Sequence, residues 1–106
     1  MNRRMPPLNA LKAFEAAARH LSFTAASAEL NVTQAAISHQ VRTLENYLGL
    51  ELFNRAHQRL SLTNAGKSYL PMLTQSFDLI GLGYKEIITD KKSFRLNIKA
   101  PSSFSV

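Results

Sequence analysis

Ser22-Phe23-Thr24-Ala25-Ala26-Ser27-Ala28-Glu29-Leu30-Asn31-Val32-Thr33-Gln34-Ala35-Ala36-Ile37-Ser38-His39-Gln40-Val41 is the stretch on which the fold turns. Ser22 supplies an N-cap, and Ala25, Ala26, Ala28 and Leu30 form a helix of about seven residues that ends at Asn31, a residue tolerant of the left-handed conformation. Thr33 caps the next helix, in which Ile37, Val41, Leu44 and Leu48 follow 4, 3, 4 spacing until Gly49 stops it. Two short helices across Asn31-Val32-Thr33, the first small enough for the second to pack closely on it, have the proportions of a helix-turn-helix. The same spacing fits an ordinary αα-hairpin.

Upstream, Leu8, Leu11, Phe14, Ala18 and Leu21 recur at helical spacing and predict a helix over about 9–20, with Asn9 as N-cap. Downstream, Leu52-Phe53-Asn54-Arg55 and Arg59-Leu60-Ser61-Leu62 read as two strands around the tip Ala56-His57-Gln58, a wing in which Arg55, His57 and Arg59 suit phosphate or minor-groove contact. The plain alternative is a hairpin that covers the core edge. From a cap at Thr63, Leu70, Leu73, Phe77, Ile80, Tyr84 and Ile87 repeat with 3, 4, 3, 4, 3 spacing. That is an a/d seam too long for a small domain to cover, so the expected partner is the same helix of a second subunit, giving a homodimer. Pro71 is expected to kink this helix, and Gly81 and Gly83 to weaken it by roughly 1 kcal/mol each. Beyond Lys91, the alternation of Phe94, Leu96 and Ile98 with Arg95, Asn97 and Lys99 predicts a lone strand and then a turn.

On the wheel of the second short helix, Ala35, Ser38, His39, Arg42 and Asn46 lie opposite the apolar face, with Gln34 beside them in the first turn. If the pair reads DNA, Gln34, Ala35, Ser38 and His39 meet base edges in the major groove, and Arg42 holds a phosphate. The first turns at Ser22, Thr24 and Thr33 present backbone N–H groups and hydroxyls as further phosphate seats, although capping alone also explains those hydroxyls.

Composition sets bounds on these readings. A chain of 106 residues, 45% apolar, buries one modest core, and without cysteine it has no disulfides or thiolate metal sites. The net charge of +6 favours an anionic partner. It is spread evenly, however, with seven Lys/Arg against four Asp/Glu in residues 1–60 and six against three in 61–106. No signal peptide or membrane span is visible, so a cytoplasmic location and no membrane partner are expected. His20, His39 and His57 are not at ligand spacing, and no glycine-rich phosphate loop or carboxylate pair occurs. Neither an enzyme nor a cofactor or metal site is therefore expected. A protein-interaction module built on the long helix is the more serious rival reading.

Motifs in order and spacing carry a family resemblance: Pro7-Leu8-Asn9-Ala10-Leu11, Phe14-Glu15-Ala16-Ala17-Ala18-Arg19-His20-Leu21-Ser22-Phe23-Thr24, Val32 to Val41, Leu44-Glu45, Leu48-Gly49, Leu52-Phe53 and Leu62-Thr63-Asn64-Ala65-Gly66. Over about 5–90 the chain resembles the LysR-type transcriptional regulators, most of all the branch of glycine-cleavage activators and β-lactamase regulators. Ser27, where alanine is more usual, and a wing tip without glycine depart from the pattern. The resemblance implies a mainly α fold: a winged helix-turn-helix of three helices and a two-stranded wing at 6–63, then a long dimerisation linker helix at 64–91. It also implies that 92–106 opens an effector domain, a strand over Leu96–Ala100, that this chain stops short of completing. The implied function is sequence-specific binding of double-stranded DNA at an interrupted palindrome. A tetramer and a small-molecule effector are implied only for a form that carries that domain.

Overall fold

The computed structural model describes residues 3–55 and 59–97, with backbone alone for 91–97. The elements follow as α1 (Leu8–His20), α2 (Phe23–Leu30), α3 (Gln34–Leu48), β1 (Phe53–Asn54), β2 (Ser61–Leu62) and α4 (Asn64–Asn97). Two compact units divide the chain, Met1–Thr74 and Gln75–Val106.

Local chemistry sets the helix ends. Ser22 Oγ accepts from Ala25 N at 3.0 Å and Thr33 Oγ1 from Ala36 N at 3.0 Å, satisfying donors that the first helical turn leaves open. Asn31 (φ 59°) and Gly49 (φ 74°) close α2 and α3 in the left-handed conformation, as their side chains suggest. α1 departs from expectation at both ends. It starts after Pro7 with no side-chain cap, so Asn9 lies inside the helix. It stops at Leu21, which turns left-handed (φ 50°) while Leu21 N reaches Ala18 O and Ser22 N reaches Ala17 O. This paired closure satisfies the last carbonyls, against roughly 1–2 kcal/mol for a left-handed leucine. Leu8 and Leu21, which extended the apolar periodicity, are consequently about half exposed.

The core of the first unit is built on α1, buried along Ala10, Leu11, Ala13, Phe14 and Ala16–Ala18 because α2 and α3 both pack on it. Ile37, Val41 and Leu44 from α3 and Leu52 and Phe53 from the start of the hairpin complete the core. Phe53 links the parts: its ring packs edge-on to Phe14 and Phe23 at 5.6 and 5.5 Å, and Tyr69 stacks on Phe14 at 6.2 Å. The strands are antiparallel, Phe53 opposite Leu62 and Asn54 opposite Ser61, and shorter than expected at two residues each. The tip 56–58, with His57, lies outside the described residues.

Thr63 caps α4 as expected, accepting from Gly66 N at 3.1 Å while donating to Glu51 O at 2.8 Å. Gly66 is required by close approach, since a Cβ there would collide with the Leu52 carbonyl oxygen. The helix runs on through Pro71 and as far as Asn97. The strand read from Phe94 is thus helical to Asn97, its alternation overridden by continuation of α4; residues 98–106 lie outside those described. The head unit also reaches further than the sequence suggests. Leu73 is buried, and Thr74 donates to Glu15 at 2.8 Å, so the first third of α4 belongs to it.

Candidate nucleic-acid interface

α3 displays the residues read as sequence-reading. Gln34, Ala35, His39 and Arg42 are exposed, as is Asn46, and Ser38 is half-buried. The acid of α3 is Glu45, and it is turned inward at 7% exposure. Its Oε2 accepts from Leu52 N at 2.8 Å and Phe53 N at 3.3 Å, and its carboxylate holds the Arg55 guanidinium at 3.1 and 3.3 Å. The negative charge is consumed at the base of the wing, and the exposed face of α3 is left with hydrogen-bonding groups and the cation of Arg42. Such a face suits base edges and phosphates, because an acid on it would be repelled by the DNA backbone.

Arg55, read as a wing contact, is exposed and is also engaged within the head. It is bidentate to Glu45 and sits 5.9 Å from the centroid of the Phe53 ring, which ties the strand to α3. Arg59 remains exposed on the other side of the tip. A cleft lined by Arg42, Asn46, Gly49, Leu50, Glu51 and Arg55 joins the exposed end of α3 to the wing base.

The hydroxyls of Ser22 and Thr33 are engaged as cap acceptors, which leaves each O–H free to donate outward. Thr33 and Thr24 are exposed and Ser22 half-buried. The two roles weighed for these side chains are therefore compatible, with backbone N–H groups of two helix starts beside them.

A second acidic knot fastens the helices behind this face. Arg19 is bidentate to Glu15 (2.8 and 2.9 Å) and to Glu29 (3.0 and 2.6 Å), His20 meets Glu29 at 2.7 Å, and Thr74 completes the shell of Glu15. Hydrogen bonding from Arg19, opposed by burial, holds the Glu15 carboxyl below its usual range; Arg19 and then His20 bring Glu29 to about 2. Neither Glu45 nor this knot was singled out by sequence reasoning. Glu15 and Glu45 flank apolar positions as many solvated acids do, and their partners lie up to 59 residues away.

The predicted seam divides. Leu73 is buried in the head and Leu70 half-buried; Phe77 is half-buried, and Ile80, Tyr84 and Ile87 are 62–67% exposed. Among the described residues, no helix is long and apolar enough to cross a membrane, and no cluster of His, Asp and Glu is arranged to hold a metal.

Comparison with known proteins agrees with this geometry. The model of the bacterial regulatory helix-turn-helix proteins of the lysR family matches residues 8–67. The glycine cleavage system transcriptional activator of Escherichia coli K12 is 44% identical over 106 residues, all of this chain and 35% of that protein. The transcriptional activator AmpR of Providencia stuartii is 66% identical over 74 residues, 70% of this chain and 25% of that protein. The chain thus spans about a third of the length of the curated relatives it matches. A solved complex of the CbnR DNA-binding domain with DNA superposes with a TM-score of 0.67 at 30% identity, covering 80% of this chain and 98% of that one. With a helix-turn-helix, a wing and a family match over more than half of its length, the chain belongs to the lysR family of bacterial regulatory helix-turn-helix proteins.

Proposed function

We propose that this chain reads duplex DNA with α3 in the major groove and works as a homodimer joined through α4. The acid-free exposed face of α3 carries the reading. Gln34 and Ser38 hydrogen-bond base edges, Ala35 meets a thymine methyl, His39 reads beside them, and Arg42 holds a phosphate. Ser22, Thr24 and Thr33 seat phosphates at the helix starts, and His57 and Arg59 belong to the wing contact. Arg55 acts indirectly, by fixing the wing to Glu45.

Dimerisation rests on the exposed apolar residues Leu79, Ile80, Leu82, Tyr84 and Ile87 of α4, 52–68% exposed. Two copies related by a two-fold axis present two reading helices, and the matching site is an interrupted palindrome. Effector control and a tetramer belong to a longer form of the protein, in keeping with relatives about three times the length of this chain.

Selection from a random duplex pool, followed by gel shift at low salt, tests the reading. The chain should enrich an interrupted palindrome, and Gln34→Ala or Ser38→Ala should relax base preference by roughly 1–3 kcal/mol per contact. Failure to bind any duplex, with Arg42→Ala behaving as the unchanged chain, would sink it.

A further inference from the structure

We infer that Arg3 and Arg4, in the segment before α1, form a second DNA contact, a phosphate clamp fastened alongside α3. The inference rests on the placing of α3 in the major groove proposed above. Three observations and the dimensions of the DNA groove carry it.

The segment is anchored. The Tyr47 hydroxyl donates to the Met5 carbonyl at 3.2 Å, across 42 positions of sequence. On the other side of Met5 the chain is stiff: Pro6 and Pro7 restrict φ, Pro7 is extended (φ −57°, ψ 134°), and its carbonyl accepts from Leu11 N in the first turn of α1. Arg4 and Arg3 are therefore the first and second residues beyond a fixed point. Two extended residues reach at most about 7 Å along the backbone, so the Cα atoms that carry these guanidinium groups stay near the anchor.

The anchor lies at the border of the reading face. Tyr47 follows Asn46, and one residue is about 100° of rotation round a helix. By the same rotation Asn46 and His39 lie within about 100° of Tyr47 and have the fastened segment on their flank, while Arg42 lies about 140° round the helix.

The charges are available. Arg3 and Arg4 are exposed, and among the described residues neither forms an ion pair, in contrast to Arg19 and Arg55, whose guanidinium groups are committed to glutamates.

The dimensions of the groove supply the ligand. A helix with its side chains is about 10–12 Å across and the major groove about 12 Å wide, so whatever borders the helix meets a phosphate ridge. Two unpaired arginines held there meet phosphates, which position a protein without reading sequence.

The test measures affinity for a random-sequence duplex, and for one selected by the unchanged chain, between 50 and 200 mM salt. With two phosphate contacts removed, Arg3→Ala/Arg4→Ala should weaken binding equally on both duplexes. Its loss of affinity over that salt range should be about 12-fold smaller than that of the unchanged chain. Arg3→Lys/Arg4→Lys should restore the salt dependence, because a phosphate needs the charge and not the fork. Tyr47→Phe, which removes the fastening and no charge, should also flatten it. An arm variant with unchanged salt dependence, while Arg42→Ala flattens it, overturns the clamp and leaves the α3 reading standing. If Arg42→Ala also changes nothing, the α3 reading falls and the clamp with it. A loss confined to the selected duplex overturns the phosphate assignment in favour of base reading by the arm.

Discussion

The head, residues up to Thr74, and the rest of α4 handle apolar surface in opposite ways. In the head, Phe14, Phe53, Ile37, Val41, Leu44 and Leu52 are at most 1% exposed, and its two buried acids each have full sets of donors. Beyond Thr74 the helix shows Leu79, Ile80, Leu82, Tyr84 and Ile87 more than half exposed. One region closes its own surface. The other is a helix whose apolar residues have no cover within the described chain, which suits an element meant for a second copy. Apolar residues recur at helical spacing in both, so pattern alone does not tell a core from an interface.

The sharpest way to break this contrast is Phe53→Ala. It removes the ring that joins the hairpin to α1 and α2, and should cost about 3–5 kcal/mol in urea unfolding. A loss under about 1 kcal/mol, as at a surface site, would show that the head is not organised round Phe53. Next comes Glu45→Ala, which strands the Leu52 and Phe53 N–H groups and should cost about 1–3 kcal/mol for each donor left buried. It should also weaken DNA binding more than Arg59→Ala does, because the wing base loses its attachment; equal weakening would remove Glu45 from that role.

Acid should act on the head through the knot of Glu15, Arg19 and Glu29. Glu29 titrates near 2 in the fold against an ordinary 4.5, and Glu15 is shifted the same way. The unfolded chain then binds more protons between these values. The stabilisation is complete above about pH 4.5 and lost as pH falls towards 2. Unfolding of Glu29→Gln followed against pH should show a shallower fall across that window; an unchanged slope would contradict the assignment.

The smallest effect on the head is expected from the other region. Ile80→Asp/Ile87→Asp should move head unfolding by less than about 0.5 kcal/mol and yet abolish dimers in light scattering. Dimers that persist would mean that the exposed residues of α4 are not the interface.

The divided seam shows where sequence reasoning ran out. Leu70 to Ile87 form one continuous heptad pattern, and the pattern is real, but Leu73 is spent inside the head while Ile80, Tyr84 and Ile87 stay exposed. Periodicity reports which face is apolar and not what covers it. The strand expected at Phe94 failed for a related reason: short alternation is a weak signal beside a helix already propagating for about eight turns. Arg55 shows the same limit from the side of charge, since its pairing with the buried carboxylate of Glu45 cannot be read from an arginine in a hairpin.

What the sequence by itself determined is the set of features settled within four residues: the caps at Ser22, Thr33 and Thr63, the left-handed ends at Asn31 and Gly49, and the polar face of α3 from Gln34 to Asn46. Capping chemistry and helical periodicity act at that range, and the family motif repeats them in order. Only the tertiary structure decided where polar groups go: Glu45 to the wing base, Glu15 to Thr74, and Tyr47 to the backbone before α1. Those partners lie 7 to 59 positions apart. Which of two similar acids is buried, or which of several arginines stays free, depends on packing that no local pattern encodes.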